Sequence, residues 1–214
     1  MIIKRISCQV KKDQIDLFSK LQAQWQPVNV INGFLGQAGG WSIKNEFTAC
    51  VFSFWENKDV YAYFMNNVHD GIILNSNQSS TYTSIDVELF EEVFNIQGLE
   101  KDIVSILRES NFIRTALSTV KEGRASHFIE TQSKVWNSGM KKTEKMLGGE
   151  FGSSVKDDKR FLVLTGWLSE EAHKDYIISS FSALKSQSKT ELDLEGIIGE
   201  QFIIENSWRV VPLI

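Results

Sequence analysis

The sequence predicts an α+β protein built from two similar halves, each running strand, helix, strand, strand, helix, strand. Three observations predict it. The chain matches itself at a nearly fixed offset, the apolar period switches between strand and helix in the same order in both halves, and turn and cap residues recur at corresponding places.

The self-match is strongest at an offset of 112, where Leu35, Gly36, Gly40, Ser42, Lys44, Val51 and Trp55 meet Leu147, Gly148, Gly152, Ser154, Lys156, Val163 and Trp167. Seven identities in that 21-residue window exceed the one or two that composition would give by chance. Upstream, Ile3, Val10, Lys11 and Phe18 meet Ile113, Val120, Lys121 and Phe128 at 110, and Trp25 meets Trp136 at 111. The drift falls in the connection between the first helix and the second strand, where length changes cost least. Val93 and Val210, at 117, are read as a further match after a longer loop.

Ile2 to Val10 and Phe112 to Val120 are rich in β-branched residues and partly alternating, as half-buried strands are. Ile15, Phe18, Leu21 and Trp25 then gather on one helical face, and Ala125, Phe128 and Val135 repeat much of that stripe, interrupted by Thr131 and Gln132. Phe34 to Ile43 and Phe47 to Trp55 form a hairpin around Lys44-Asn45-Glu46, matched by Met146 to Val155 and Arg160 to Trp167 around residues 156–159. The glycine-rich runs Gly33 to Gly40 and Gly148 to Gly152 lack a nucleotide-loop context and predict a bulged, twisted strand. Asn57 and Ser169 stand as N-caps before helices Lys58 to Asn67 and Glu170 to Phe181. Strands Thr83 to Phe94 and Gln201 to Val211 close the halves. The predicted domains are therefore 1–94 and 112–214, with 95–111 as a packed connector because Ile103, Ile106 and Leu107 have helical spacing.

A composition of 42% apolar and 23% charged residues, with two prolines, six tryptophans and fourteen phenylalanines, is that of a folded globule with ample core material. A net charge of −4 argues against a general nucleic-acid binder, and Lys141, Lys142 and Lys145 read as a solvated helix end. Lys4 and Arg5 interrupt the apolar N-terminal run, so no signal peptide or membrane partner is expected. Cys8 and Cys50 stand singly and read as reduced core thiols, which points to the cytoplasm.

The run from Val51 through Trp55, Glu56, Asn57 and Lys58 to Phe64, with its copy from Val163 to Tyr176, resembles the strand-Trp-cap-helix signature of the antibiotic-biosynthesis-monooxygenase-like dimeric α/β barrels. The chain as a whole is similar to the YdbC-like proteins of bacilli. That resemblance implies tandem ferredoxin-like repeats, β-α-β-β-α-β twice, packed as an intramolecular dimeric α/β barrel, with the closing strand of each half pairing across to the other. It implies a monomer acting as a pseudo-dimer. It also implies functions ranging from cofactor-independent oxygenation of aromatic compounds to haem degradation. The haem-degrading branch carries a first-strand Asn, a second Trp and a His, but this chain has no Asn in either first strand, Phe64 and Tyr176 at the Trp place, and Leu74 and Ser186 at the His place. Haem degradation of that type is not expected, and no cofactor is.

His69, beside Asp70, is the histidine best placed to face a pocket, as a general base or ligand, against the plainer reading of a solvent-facing or hydrogen-bonded imidazole. Its counterpart is Phe181. His127 and His173 read as surface residues, and no two histidines have metal-ligand spacing. Trp55 and Trp167 read chiefly as core rings, and Tyr61, Phe64 and Tyr176 as core residues that could also line a cleft. The expected ligand is small and apolar or aromatic. Two functions stay open: small-molecule binding or cofactor-independent monooxygenation in an apolar pocket, and a non-catalytic structural or sensor module. An enclosed pocket with an inward polar group distinguishes the first from the second.

Overall fold

A computed structural model describes residues 1–213. In chain order it contains β1 (Ile2–Val10), α1 (Ile15–Gln22), β2 (Phe34–Ser42), β3 (Thr48–Trp55), α2 (Lys58–Phe64), α3 (Asp70–Ser76) and β4 (Tyr82–Ile96). Then follow α4 (Ile103–Glu109), β5 (Phe112–Val120), α5 (Ala125–Thr131), α6 (Ser138–Met140), β6 (Met146–Ser154), β7 (Arg160–Trp167), α7 (Glu170–Tyr176), α8 (Ser182–Ser188) and β8 (Leu194–Ile204). The fold is mixed α+β, and its paired strands run antiparallel. Among the described residues no helix is long and apolar enough to cross a membrane.

The chain divides into two compact units, Met1–Leu89 with Phe202–Ile214, and Phe90–Gln201. In the first unit the strand order is β1-β3-β2-β8, with Ile2 opposite Trp55, Phe34 opposite Trp55, and Gly40 opposite Ile204. In the second it is β8-β5-β7-β6-β4, with Phe112 and Met146 both opposite Trp167, and Phe90 opposite Ser154. Strand β4 thus pairs with β6, and β8 with β2.

Each second strand is bulged, between Phe34 and Gly36 and between Met146 and Gly148. Gly36 and Gly148 have φ of 138° and 132°, which L side chains rarely adopt, so glycine is required where the strand turns its face. Asn57 and Ser169 cap α2 and α7, accepting from the Val60 and Ala172 N–H groups at 2.9 and 3.2 Å.

Three expectations are corrected. The helix from Lys58 does not end at Asn67: a π turn, Met65–His69, joins α2 to α3, and Ile177–Phe181 joins α7 to α8 in the same way. Such a turn shifts the helical phase by a residue, so the 3.6-residue apolar period fades there although the helix continues. The last strand is Leu194–Ile204 rather than Gln201 to Val211, because Gly196 and Gly199 mute the strand signal that pairing beside β5 overrides. A 3-10 turn, Asn206–Trp208, follows, and Val210 makes only an isolated bridge to Gln37, so Val93 and Val210 do not correspond. Instead the Lys11 and Lys121 N–H groups donate to the carbonyls of Thr81 and Asp193, which keeps the offset at 112. Finally, His173 is not a surface residue. It lies on the inner face of α7, 2% exposed, with its ring centroid 5.1 Å from that of Trp167.

Candidate functional site

The first unit contains a cavity of about 240 Å³ between β1, β3, β4 and the helices. Alternation along β1 points Lys4, Ile6 and Cys8 into it, while Arg5 faces the other way and pairs with Asp86 and Glu88 at 2.9 and 3.2 Å. The wall opposite is aromatic. Trp55 closes β3, stacks on Phe64 with centroids 4.5 Å apart and meets Tyr61 at 5.9 Å. Its indole N–H donates to the Ser53 hydroxyl at 3.1 Å, which fixes the ring. A buried polar chain forms another wall: the Trp25 indole N–H donates to Gln78 Oε1 at 3.2 Å, and Gln78 Nε2 donates to Gln22 Oε1 at 3.0 Å.

Lys4 is the charged group of this cavity. It is 5% exposed, its ammonium donates to Met65 Sδ at 3.7 Å, and it lies 5.7 and 5.8 Å from the Tyr61 and Phe64 ring centroids. No carboxylate pairs with it among the described residues, so burial alone pulls the amine down to about 8. Rings and a thioether soften that cost without removing it. A lysine in this state exchanges its proton near neutral pH and can act as base or as counter-ion to a nascent anion. Cys8 cannot share the task, because burial pushes its thiol up to about 12 and keeps it protonated. Burial likewise raises Tyr61, which remains a neutral phenol able to donate a hydrogen bond.

The second unit carries a cavity of about 380 Å³. It is lined by Arg114, Phe128, Trp136 and Phe181, which follow Lys4, Phe18, Trp25 and His69 of the first cavity by 110, 110, 111 and 112 residues.

A family model described as a domain of unknown function (DUF4937) matches residues 2–90. The protein YdbC of Bacillus subtilis (strain 168), which bears the description uncharacterized, is 40% identical over 94 residues, 43% of this chain and 79% of YdbC. The chain belongs to the YdbC family. Solved structures add the fold at low identity. A candidate monooxygenase from Fusobacterium nucleatum matches with TM-score 0.77 at 12% identity, over 95% of this chain and 91% of that one. A candidate monooxygenase from Lactobacillus acidophilus matches at 0.74 and 12%, over 98% and 95%. An anthrone oxidase-like protein matches at 0.70 and 7%, over 96% and 91%. This member of the YdbC family therefore shares the monooxygenase-like fold along nearly its whole length.

Of the residues singled out in the sequence, Trp55, Tyr61, Phe64 and His69 converge on the first cavity. His69 sits in the π turn with its ring 5.8 and 5.6 Å from Trp25 and Phe64, and Nδ1 is 3.0 Å from Asp70 Oδ1. Trp167 and Tyr176 do not line the second cavity. They pack in the core of that unit with centroids 5.3 Å apart, and the Trp167 indole N–H donates to Thr165 Oγ1 at 2.9 Å. His127 lies at the surface, with Nδ1 2.8 Å from Asp193. Lys4, Gln22 and Gln78 escaped sequence reasoning. A signal for Lys4 was present, because two basic residues, Lys4 and Arg114, stand 110 positions apart within otherwise apolar strands.

Proposed function

We propose that the first unit binds a small aromatic molecule bearing an acidic C–H or O–H group and oxygenates it without a cofactor, with Lys4 as the base. The observation that carries this reading is a desolvated lysine, unpaired with any described carboxylate, inside a cavity walled by Trp55, Tyr61 and Phe64. Aromatic walls orient a flat ligand, and the low polarity strengthens the attraction between the ammonium and the anion formed by proton loss. For an aryl-flanked methylene, one substrate molecule and one dioxygen give one ketone and one water. Both C–H bonds break and a carbonyl forms. One oxygen atom enters that carbonyl and the other leaves in water with both hydrogens, so all four electrons come from the substrate carbon. Lys4 takes the first proton, and the carbanion then transfers electrons to dioxygen directly.

The shared fold with the candidate monooxygenases and the anthrone oxidase-like protein supports the reaction class. The test is anthrone oxidation, followed by oxygen uptake and quinone absorbance against the uncatalysed rate. Wild type is expected to exceed background, with a rate that rises with pH to a plateau above about 8 as Lys4 loses its proton. Lys4→Met and Lys4→Arg are expected at background, since arginine keeps the charge but cannot serve as base. Equal rates in wild type and both variants would sink the proposal.

The same reading extends to the organisation of the chain: a duplication with repeats 1–94 and 112–214 joined by 95–111, acting as a monomeric pseudo-dimer. The recurrence of capped helices and bulged strands at an offset of 112 supports it.

A further inference from the structure

We infer that the second unit holds a separate binding site for an apolar carboxylic acid, with Arg114 as its anion partner. The cavity of about 380 Å³ is walled by Phe128, Met140, Val163, Phe181 and Leu194. Arg114 lines it from β5, and among the described residues its guanidinium forms no hydrogen bond or ion pair. The nearest phenol does not neutralise it: burial pushes Tyr176 up to about 12, so that group is uncharged at neutral pH. Burial in turn disfavours the charged guanidinium.

A partly desolvated cation without a counter-charge favours an anionic partner, and arginine cannot escape by losing its proton as Lys4 can. Its planar fork instead matches the two oxygens of a carboxylate. A second donor is available. Trp136 lines the same cavity, and its Nε1–H is buried with no acceptor. The half-buried Arg114 guanidinium and the buried Trp136 N–H on the wall of an apolar chamber match a ligand with two acceptor oxygens at one end and an apolar body filling the rest. The charges at the mouth, Lys185, Glu191 and Glu195, are exposed and of mixed sign, so selection for an anion falls to Arg114. The replacement of Lys4 by Arg114 at the equivalent place thus separates the cavities, one able to move a proton and the other suited only to hold an anion.

The test is calorimetric titration of the full chain with 2-naphthoate and with its neutral isostere 2-naphthamide. The acid is expected to bind at least tenfold more tightly than the amide. Arg114→Gln should erase that preference and weaken the acid at least tenfold. Arg114→Lys should retain part of it, and a chain carrying Lys4→Met should bind naphthoate as wild type does. Absence of naphthoate binding, equal affinity for acid and amide, or an Arg114→Gln chain that binds the acid unchanged would each overturn the proposal. So would loss of binding in Lys4→Met alone, which would move the acid to the first cavity. None of these outcomes depends on whether anthrone is oxidised.

Discussion

Lys4 and Glu150 both hold an ionisable group where burial opposes its charge, and they act on stability in opposite pH windows. Lys4 is depressed to about 8 from an ordinary value of 10.5, so between those values the unfolded chain binds more protons than the folded one. Stability therefore rises with pH across that window, and below it the fold carries the full cost of a desolvated ammonium. Lys4→Met is expected to raise stability at pH 7 by about 1–3 kcal/mol while abolishing oxidation, a trade of stability for chemistry that a thermal melt checks directly. Glu150, 2% exposed on β6, is raised to about 8 by burial and then by neighbouring Glu92. Between 4.5 and about 8 the folded chain binds the extra proton, so stability falls as pH rises through that interval. Glu150→Gln is expected to flatten this decline. A Tm-against-pH series in which wild type and variant stay parallel would contradict it.

At the scale of elements, the bulged second strands and the π turns shape the cavities. A Cβ at Gly148, φ 132°, would meet Ile106 Cδ1 at 2.9 Å and the Ile96 carbonyl at 3.0 Å. Gly148→Ala is therefore strained by both backbone and contact and should destabilise the chain by about 1–3 kcal/mol, read as a shift in the denaturant midpoint. The π turn Met65–His69 supplies Met65 and His69 to the first cavity, while Gln132–Asn137 and Ile177–Phe181 supply Gln132, Trp136 and Phe181 to the second. A π turn widens the helix by one residue and aims side chains that a regular helix would point elsewhere, which is why such turns recur at binding sites. The glycines of the bulges were readable as such, because only glycine accepts their backbone conformation freely. The π turns were readable only as a fading stripe at Thr131 and Gln132, since no residue type specifies them.

For the whole chain, the pairing of β8 with β2 makes the first compact unit depend on residues distant in sequence. Trp208, fully buried between Phe18 and Trp41 at 5.5 and 5.3 Å, belongs to the first unit although it lies near the C-terminus. Removal of residues 202–214 is expected to strip the edge of β2 and open that core, a loss on the order of a Trp→Ala change of about 3–5 kcal/mol or more. Near-ultraviolet dichroism and the cooperativity of thermal unfolding report it. A truncated chain that melts as wild type does would show the unit to be independent of those residues. Under the proposed pseudo-dimer, sedimentation should give the mass of one chain, and twice that mass would refute it.

Local physics fixed much of this from sequence alone. Strand alternation, helix caps and glycine bulges depend on neighbours a few residues apart, so β1, the hairpins and the caps at Asn57 and Ser169 were legible. The course of β8, the burial of His173 and the inward aim of Lys4 depend on partners scores of residues away. A lysine in a strand carries no local mark that tells a solvated ammonium from one enclosed by Trp55, Tyr61 and Phe64. That difference arises only when tertiary packing removes the water.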